Sequence, residues 1–431
     1  MHEKLSIQDF LVIKSAVLEI KELNIIVGPQ AHGKSIIAKL EFFFKAISKD
    51  FLESIRSNTT KKELDRSILD RFELYFPRYA WEGKSFKISY TIDNIDISLS
   101  GEVNSRGKTN VKVRYSDNLY KIYSAKKRGY KKKTDSEDDS FTAKNEYDNF
   151  MNDRIIFHEY VFLELIKGEF SHFFANSIFI PASRSFFANL QKNIFTFMAS
   201  NLEIDPFLKE FGSLYESSKK IQRSSFHRRN SKYAPSLEKI DRAVGSIVGG
   251  TYDYDKDQDW IVSKRGKINL ANASSGQQEA LPMLLSLLVW PFRNSSGEGS
   301  MLFIEEPEAH LFPTSQAHMV SVFSILRKCP GSNFFITTHS PYILTAINNL
   351  MLAHDVIESG KISRKDFDKM CEIGDPEPID YDSVSAYTIV DGVLKSIKND
   401  EYRIIGGEIL DHVSDSFESI TNTLLEARYM A

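Results

Sequence analysis

The sequence has little cysteine, no long apolar run and almost no net charge, and each shortage excludes a class of protein. Its two cysteines in 431 residues, Cys329 and Cys371, fit neither a disulfide framework nor a metal-binding spacing. The longest apolar stretch, residues 281–292, is about half as long as a membrane-spanning helix. The N-terminus lacks the basic and apolar segments of a secretory signal. We therefore expect a cytoplasmic protein with no membrane partner.

Charge and length narrow the classes further. A net charge of −3 and a pI near 6.4 argue against a protein that is basic overall, although they leave room for a local basic groove. Apolar residues make up 42% and aromatic residues 12%, which is enough to bury a core. The length predicts a core with a sizeable insertion rather than one compact domain. Sustained heptads are absent, so the sequence does not support a long coiled-coil arm.

Short apolar runs alternate with helical patterns along the chain. Runs of the buried-strand type occur at residues 23–27, 177–180, 301–304 and 333–337. Helical patterns begin at Lys34 and cover residues 280–289 and 313–327. Alternating strands and helices predict an α/β fold with a largely parallel, buried sheet.

Other segments predict additions to this core. Residues 85–124 alternate with period two, which indicates a small antiparallel sheet, and residues 252–270 indicate a β-ribbon. Residues 184–247 are mainly helical in pattern, and residues 380–431 indicate a β-hairpin followed by helices. We expect the basic run of residues 126–133, which acidic residues follow at once, to form a charged loop at 126–140.

Two basic clusters allow a structural and a functional interpretation. The first is the run at 126–133, and the second contains Lys219, Lys220, Arg223, His227, Arg228 and Arg229. Solvation of an exposed loop or helix face is favoured for both, and contact with nucleic acid is the alternative.

A phosphate-binding loop is predicted between the strand at 23–27 and the following helix. Residues 28–35 match Gly-x-x-x-x-Gly-Lys-Ser without a gap. Backbone N–H groups of such a loop wrap phosphates, Lys34 would reach the β- and γ-phosphates, and the Ser35 hydroxyl would bind Mg²⁺. The predicted nucleotide-binding residues are Gly28, Pro29, Gln30, Ala31, His32, Gly33, Lys34, Ser35 and Ile36, with ATP and Mg²⁺ as cofactors.

Two carboxylates end the apolar strand at 301–304. A buried strand that ends in consecutive acids needs a cation or a water-mediated partner. Glu305 is predicted to hold Mg²⁺, and Glu306 to orient and polarise the attacking water as general base. His339 follows the next apolar strand, where an imidazole can bridge the γ-phosphate and the water. Glu306, His339 and Lys34 are the predicted catalytic residues.

Two further sites are suggested by position. Ser274, Ser275, Gly276 and Gln277 precede an apolar helix, where a hydroxyl and an N–H could bind phosphate or simply cap the helix. Arg184 follows the strand at 177–180, and a phosphate or interface contact and a salt bridge at the core edge are equally compatible with it. Gln191 is a weak candidate for a glutamine near the metal.

Together these motifs resemble AAA/ABC-type ATPases related to RecF, SMC and the overcoming-lysogenisation-defect (OLD) proteins. The resemblance rests on residues 305–311, 337–341 and 273–279, and it departs at Phe312, where family members often have histidine. It implies an ABC-type P-loop NTPase head with a mixed sheet core, a helical lobe at about 184–247 and an α+β insertion. The implied ATPase core covers residues 1–45 and 175–355, the insertion 46–174, and a C-terminal hairpin with helices 356–431.

The resemblance also implies partners. In this class the signature, here residues 274–277, reaches nucleotide held by a second copy, so a head-to-tail homo-oligomer is expected. OLD proteins continue into a Toprim nuclease domain, whereas only about 75 residues follow the His339 region here, too few for such a domain. The chain looks like the stand-alone ATPase subunit of PARIS-type anti-phage defence, with Septu-type defence as a near alternative. The expected partner is a separately encoded effector, a nuclease.

Two rival functions remain open. A DNA-repair ATPase of RecF type would clamp duplex DNA between paired heads, and the two basic clusters motivate it. A nucleotide-binding subunit of a transporter is disfavoured by Glu305, because that position usually holds Asp in transporters, and by the large insertion between the motifs.

Overall fold

The computed structural model describes residues 2–138, 153–188, 203–223, 233–293, 300–328, 331–371 and 373–406. Its strands are β1 (Glu3–Phe10), β2 (Ile13–Ile20), β3 (Leu23–Val27), β4 (Phe86–Ile92), β5 (Ile95–Val103), β6 (Thr109–Tyr115), β7 (Ser177–Ile180), β8 (Thr251–Asp255), β9 (Gln258–Ser263), β10 (Gly266–Asn269), β11 (Met301–Glu305), β12 (Asn333–Thr338), β13 (Val384–Val390), β14 (Val393–Ser396), β15 (Lys398–Asn399) and β16 (Ile404–Ile405).

The helices connect and cover these strands. They are α1 (Lys34–Arg56), α2 (Lys61–Tyr75), α3 (Asp117–Asp138), α4 (Leu163–Lys167), α5 (Ser171–Phe174), α6 (Pro206–Arg223), α7 (Ala234–Val248), α8 (Ser275–Leu287), α9 (Pro313–Lys328), α10 (Pro341–Glu358) and α11 (Arg364–Met370). A π-helical segment precedes α4 at Phe157–Phe162, and short 3₁₀ turns occur at Arg78–Ala80, Leu270–Asn272, Pro291–Arg293 and Tyr381–Ser383.

One 11-stranded sheet organises the described chain, in the order β6-β5-β4-β1-β2-β14-β13-β3-β12-β11-β7. The half from β13 to β7 is parallel, and β1, β2, β4, β5 and β6 pair antiparallel. Strands β8–β10 form a separate three-stranded antiparallel sheet, as expected for the β-ribbon. The predicted α/β class with a mixed sheet is confirmed.

Helices cover both faces of the parallel half, which explains why its strands are apolar throughout. Along β11, Met301 and Phe303 pack in one hydrophobic cluster with α1, while Leu302 and Ile304 pack in a second cluster on the other face. That second cluster contains the apolar sides of α7, α8, α9 and α10. Helices α1 and α8 therefore lie on opposite faces of the sheet.

Two of the predicted additions, the antiparallel strands after residue 85 and the C-terminal hairpin, join the central sheet. Strands β4–β6 are antiparallel as predicted, but β4 pairs with β1, so they extend the sheet. The predicted C-terminal hairpin is β13–β14, and β13 pairs parallel to β3 in the middle of the sheet. The helices expected after it would fall at 407–431, outside the described residues. The domain boundaries drawn from the sequence remain a prediction.

The charged loop predicted at 126–140 is wrong for the residues that are described, because residues 126–138 belong to α3. Tyr123 and Tyr130, seven residues apart, are buried on one side of this helix. Lys126 forms an ion pair with Glu164, and the Lys127 amine bonds to the Thr59 carbonyl. Residues 139–140 lie outside the described part of the chain.

The second basic cluster is also not a single exposed face. Lys219 is 1% exposed, and its amine lies 2.8 Å from Asp259 Oδ2 and 2.7 Å from Glu216 Oε1. Asp259 in turn accepts hydrogen bonds from the hydroxyls of Tyr215 and Tyr252. Lys219 is therefore a buried structural cation, while residues 227–229 lie outside the described chain. Among the helices described here, none has the length and apolar character needed to cross a membrane.

Candidate nucleotide-binding and hydrolysis site

The candidate site forms where four neighbouring parallel strands end. Strands β3, β12, β11 and β7 lie side by side, so their carboxyl ends meet at one edge of the sheet. The ends of these strands and the segments that follow them carry the phosphate loop, His339, the Glu305–Glu306 pair and Arg184. Ligands of open α/β sheets bind at this edge.

The phosphate loop contains backbone conformations that favour glycine. Gly33, the residue before α1, has φ +98°, and a Cβ there would lie 2.5 Å from Ile13 Cδ1. Gly28 has φ +148° at the other end of the loop, and Ala31 has φ +62°. Residues 29–32 are exposed between them, as is Ser35 in the first turn of α1. The loop presents its backbone and the helix N-terminus outward, as phosphate binding requires.

Lys34 lies inside this loop. Its Nζ donates to the carbonyl oxygens of Gly28 (2.7 Å) and Pro29 (2.6 Å), and it lies 3.2 Å from His339 Nδ1. Burial lowers the pKa of Lys34, and the charges of Glu306 and Glu308 partly offset this effect. An ammonium in this position can meet phosphate oxygens without a large change of backbone.

Glu305 fits a metal ligand by its unmet hydrogen-bonding capacity. Its side chain is 5% exposed, and Oε2 accepts from the Ala182 N–H at 3.3 Å. The other oxygen, Oε1, is buried without a hydrogen-bond partner among the described residues. A buried carboxylate oxygen of this kind suits a hard cation. Within the described chain no three His, Cys, Asp or Glu side chains form a metal cluster. Glu305 and Ser35 are the residues that would hold Mg²⁺ here.

Glu306 and His339 are in direct contact. Glu306 Oε1 lies 2.7 Å from His339 Nε2, and His339 Nδ1 lies 2.9 Å from the Gly28 carbonyl oxygen. When Glu306 is ionised, the Nε2–H group donates this hydrogen bond and the carboxylate accepts it. Glu306 has φ +46°, an uncommon conformation for a residue with a side chain, and its N–H donates to the Thr337 carbonyl. Such a backbone is characteristic of functional sites.

Glu308 is a site residue to which the sequence reasoning gave no role. Its Oε1 accepts from the His339 N–H at 2.7 Å, which fixes the histidine backbone against the Glu306 turn. Its Oε2 is buried without a hydrogen-bond partner among the described residues, and its charge acts on Lys34. The signal available in the sequence was a third carboxylate in the Glu305–Glu308 turn.

The signature residues form the N-terminus of α8. Ser274 and Gln277 make a capping box in which each side chain accepts from the other's backbone N–H. Ser274 and Ser275 are exposed. A Cβ on Gly276 would lie 2.6 Å from the His310 carbonyl oxygen, so glycine lets α8 approach the turn after Glu306. Ser274 thus caps the helix, as one of the two interpretations predicted. The exposed N-terminus of α8 is still accessible to a phosphate.

Arg184 is fully buried and connects three segments. Its guanidinium donates to the carbonyl oxygens of Pro181 (2.8 Å), Glu305 (2.7 Å), Glu306 (2.9 Å) and Glu279 in α8 (3.0 Å). Its Nε lies 3.6 Å from Glu279 Oε2, and that oxygen accepts from the Arg184 N–H. Of the two alternatives for Arg184, the salt bridge is the one observed, and it is buried rather than at the core edge.

The structure thus brings together Lys34, Glu305, Glu306 and His339 at one edge of the sheet. The signature residues 274–277 form the N-terminus of α8, which packs on the face of the sheet opposite α1. Gln191 lies outside the described residues. The roles assigned to the individual residues remain predictions.

Several solved structures align with most of the chain at low sequence identity. One is an SMC head bound to the C-winged helix domain of ScpA, with 12% identity, TM-score 0.40 and coverage of 92% of this chain and 96% of that chain. Another is the SMC head domain from Thermotoga maritima, with 11% identity, TM-score 0.36 and coverage of 92% and 98%. The recombination mediator RecF of the RecFOR pathway matches with 11% identity, TM-score 0.34 and the same coverage.

Sequence comparison assigns the family. No curated protein is significantly similar to the chain. The model of the AAA ATPase domain matches residues 1–344 of the 431, a range that includes the phosphate loop, the Glu305–Glu306 pair and His339. The chain therefore belongs to the AAA ATPase domain family, and its activity is that of an ATPase.

Proposed function

We propose that ATP brings two copies of this chain together head to tail, and that hydrolysis separates them. In the closed pair, the signature residues 274–277 of one copy would meet the γ-phosphate held by the phosphate loop of the other. Hydrolysis would remove the shared ligand and weaken the contact.

One observation carries this proposal: the N-terminus of α8 and the phosphate loop belong to elements on opposite faces of the sheet. Helix α1 packs in one hydrophobic cluster and α8 in the other. Ser274 and Ser275 are exposed, and the hydrogen bonds of the Ser274 side chain are made within its own turn. A helix N-terminus with outward N–H groups favours an anion, and the phosphate loop of a second copy would supply one.

The chemistry would be divided among residues at the strand ends. Lys34 would neutralise phosphate charge, and Glu306 would accept the proton of the attacking water. His339, which contacts both Lys34 and Glu306, would hold that carboxylate at the γ-phosphate. Ser35 and Glu305 would hold Mg²⁺, which would supply positive charge against the phosphate oxygens.

The test uses Glu306→Gln, which keeps the size of the side chain but removes its basicity. We expect kcat to fall by about 10²–10⁴-fold with ATP binding retained, because a general base typically contributes that much. With saturating MgATP the variant should accumulate as a dimer in sedimentation experiments. Lys34→Ala, which loses the phosphate contact, is the control and should stay monomeric. A Glu306→Gln protein that remains monomeric with bound MgATP would contradict the proposal.

The biological role we propose is that of a sensor or scaffold in anti-phage defence, which holds or releases a separate effector, a nuclease. This rests on the resemblance of the motifs together with the ATPase family, and not on the chemistry of the site. Affinity purification of the Glu306→Gln and Lys34→Ala proteins from the native host tests it. A nuclease that copurifies with only one of the two variants supports the role, and identical partner sets contradict it.

A DNA clamp is the second candidate, and an exposed basic side of α3 favours it. Arg128, Lys131, Lys132 and Lys133 are exposed there. Phosphate contacts by such residues make affinity fall steeply with salt. Replacing Arg128, Lys131 and Lys132 by Gln should then lower duplex affinity at low salt, and an unchanged affinity would exclude this surface.

A further inference from the structure

Arg184 joins the signature helix to the turn that carries the catalytic carboxylate. On one side it contacts α8 through the Glu279 carbonyl and carboxylate. On the other it donates to the carbonyl oxygens of Glu305 and Glu306. Glu279 also accepts from the Ser185 N–H, so both of its oxygens are used by the Arg184 segment.

The free-energy cost of burying the Arg184 guanidinium argues against a purely structural role for this residue. A fully buried guanidinium is expensive unless all of its donors are matched, and an apolar side chain of similar volume often gives equal or greater stability. Four carboxylates act electrostatically on Arg184: Glu279, Glu308, Glu305 and Glu306. Three of them belong to the candidate site, and the fourth belongs to α8.

The Arg184 guanidinium also contacts the backbone of Glu306, whose position sets the direction of the carboxylate. Glu306 has φ +46°, so its carbonyl and side chain leave β11 in an uncommon direction. Arg184 holds that carbonyl at 2.9 Å, while Thr337 accepts from the N–H of the same residue. A planar guanidinium with five fixed donors can bind several carbonyls at once, which an ammonium cannot do.

We propose that Arg184 is a positioning residue that sets the Glu306 carboxylate according to the position of α8. Because Glu279 lies in the second turn of α8, it moves with the N-terminal residues Ser274–Gly276 as part of one helix. A shift of α8 upon contact with a second copy would therefore reach Glu306 through Arg184. This inference rests on the proposed roles of Glu306 and the signature, and it adds a path between them.

The experiment compares Arg184→Lys with Lys219→Met. The second variant removes another buried cation, whose ion-pair partners are Glu216 and Asp259. For Arg184→Lys we expect kcat to fall by about 10–100-fold with the ATP dissociation constant within about threefold of wild type. Lys219→Met should change kcat by less than about threefold once the folded fraction is taken into account.

The double variant Arg184→Lys/Glu306→Gln separates positioning from loss of structure. If Arg184 acts through Glu306, the double variant should be no slower than Glu306→Gln alone, because the two residues act as one unit. Losses that multiply, or a kcat for Arg184→Lys within about threefold of wild type, would overturn the inference. If Arg184→Lys does not fold, Glu279→Gln is judged by the same criteria. Failure of Glu306→Gln itself to lower kcat would instead reject the proposed function.

Discussion

At the scale of single residues, the site can be described as one hydrogen-bonded chain. Lys34, His339 and Glu306 follow one another within 3.2 Å and 2.7 Å, and Glu308 fixes the backbone of the histidine. The groups proposed to bind phosphate and to act as general base are therefore not independent. A change in the protonation of one alters the field at the others.

The burial of Lys34 predicts a pH dependence of ATP binding. The pKa of Lys34 is lowered by burial, so in the free protein the amine loses its proton at a lower pH than an ordinary lysine does. Only the charged amine attracts phosphate. ATP affinity should therefore be constant below the lowered pKa and should fall as pH rises through it. Equilibrium binding of ATP measured from pH 7 upward tests this expectation.

Lys34→Arg is the matched control for that measurement. A guanidinium stays charged over the whole range, so its ATP affinity, although weakened by the altered shape, should not follow pH in the same way. An equal loss of affinity in both proteins would show that another group titrates.

The sequence predicted Lys34 from its motif, but the proximity of Glu308 to Lys34 depends on the turn after β11 and could not be predicted from the spacing of the residues.

At the scale of elements, motifs with a strong local pattern were predicted well. The apolar strands at 301–304 and 333–337 appear as β11 and β12, each longer by one residue. Helix α3 was missed because its sequence shows a run of Lys and Arg, and its buried apolar residues, such as Leu119, Tyr123 and Tyr130, are outnumbered by charged ones. The salt bridge of Arg184 was one of two open alternatives, because its partner Glu279 is distant in the chain.

Helix α8 lies close to the turn after Glu306, and Gly276 leaves the room for this approach. A Cβ at Gly276 would lie 2.6 Å from the His310 carbonyl oxygen, so Gly276→Ala must displace either α8 or the turn. We expect a loss of about 1–3 kcal/mol in the free energy of unfolding, typical of overpacking, together with a lower kcat. Denaturant unfolding and steady-state ATP hydrolysis measure the two effects.

Gly245→Ala in α7 provides the comparison within a neighbouring helix. There the nearest atom to an added Cβ is the Gly250 carbonyl oxygen at 3.7 Å, an ordinary contact. Alanine should stabilise this helix by about 0.5–1 kcal/mol and leave kcat unchanged. If Gly276→Ala behaved like Gly245→Ala, the close approach of α8 to the turn would not be important for the site.

At the scale of the whole molecule, the wide sheet separates the two surfaces that the proposed function brings together in a pair of copies. Residues 28–35 and 274–277 lie on elements that cover opposite faces of the parallel strands. A symmetric pair satisfies both, because each copy can offer its signature to the other's loop. The sequence motifs indicated this pairing only through resemblance, whereas the two hydrophobic clusters give it a geometric reason.

Mixing two inactive variants tests this geometry directly. Lys34→Ala removes the loop contact, and Ser275→Arg places a bulky cation at the exposed signature. Each protein alone has no intact composite site. A mixed pair has one intact site, made of the loop from the Ser275→Arg chain and the signature from the Lys34→Ala chain. If every chain enters a mixed pair, half of the sites are intact, so the mixture should restore up to about one half of the wild-type ATPase rate.

The concentration dependence distinguishes this mechanism from contamination or partial activity. Restored activity should rise with total protein concentration and peak near an equal ratio of the two variants, because only mixed pairs contribute. A rate that is the weighted sum of the separate variants at every ratio would show that each chain hydrolyses ATP by itself. In that case the exposed N-terminus of α8 would be only a helix cap, and the position of α8 opposite α1 would have no role in catalysis.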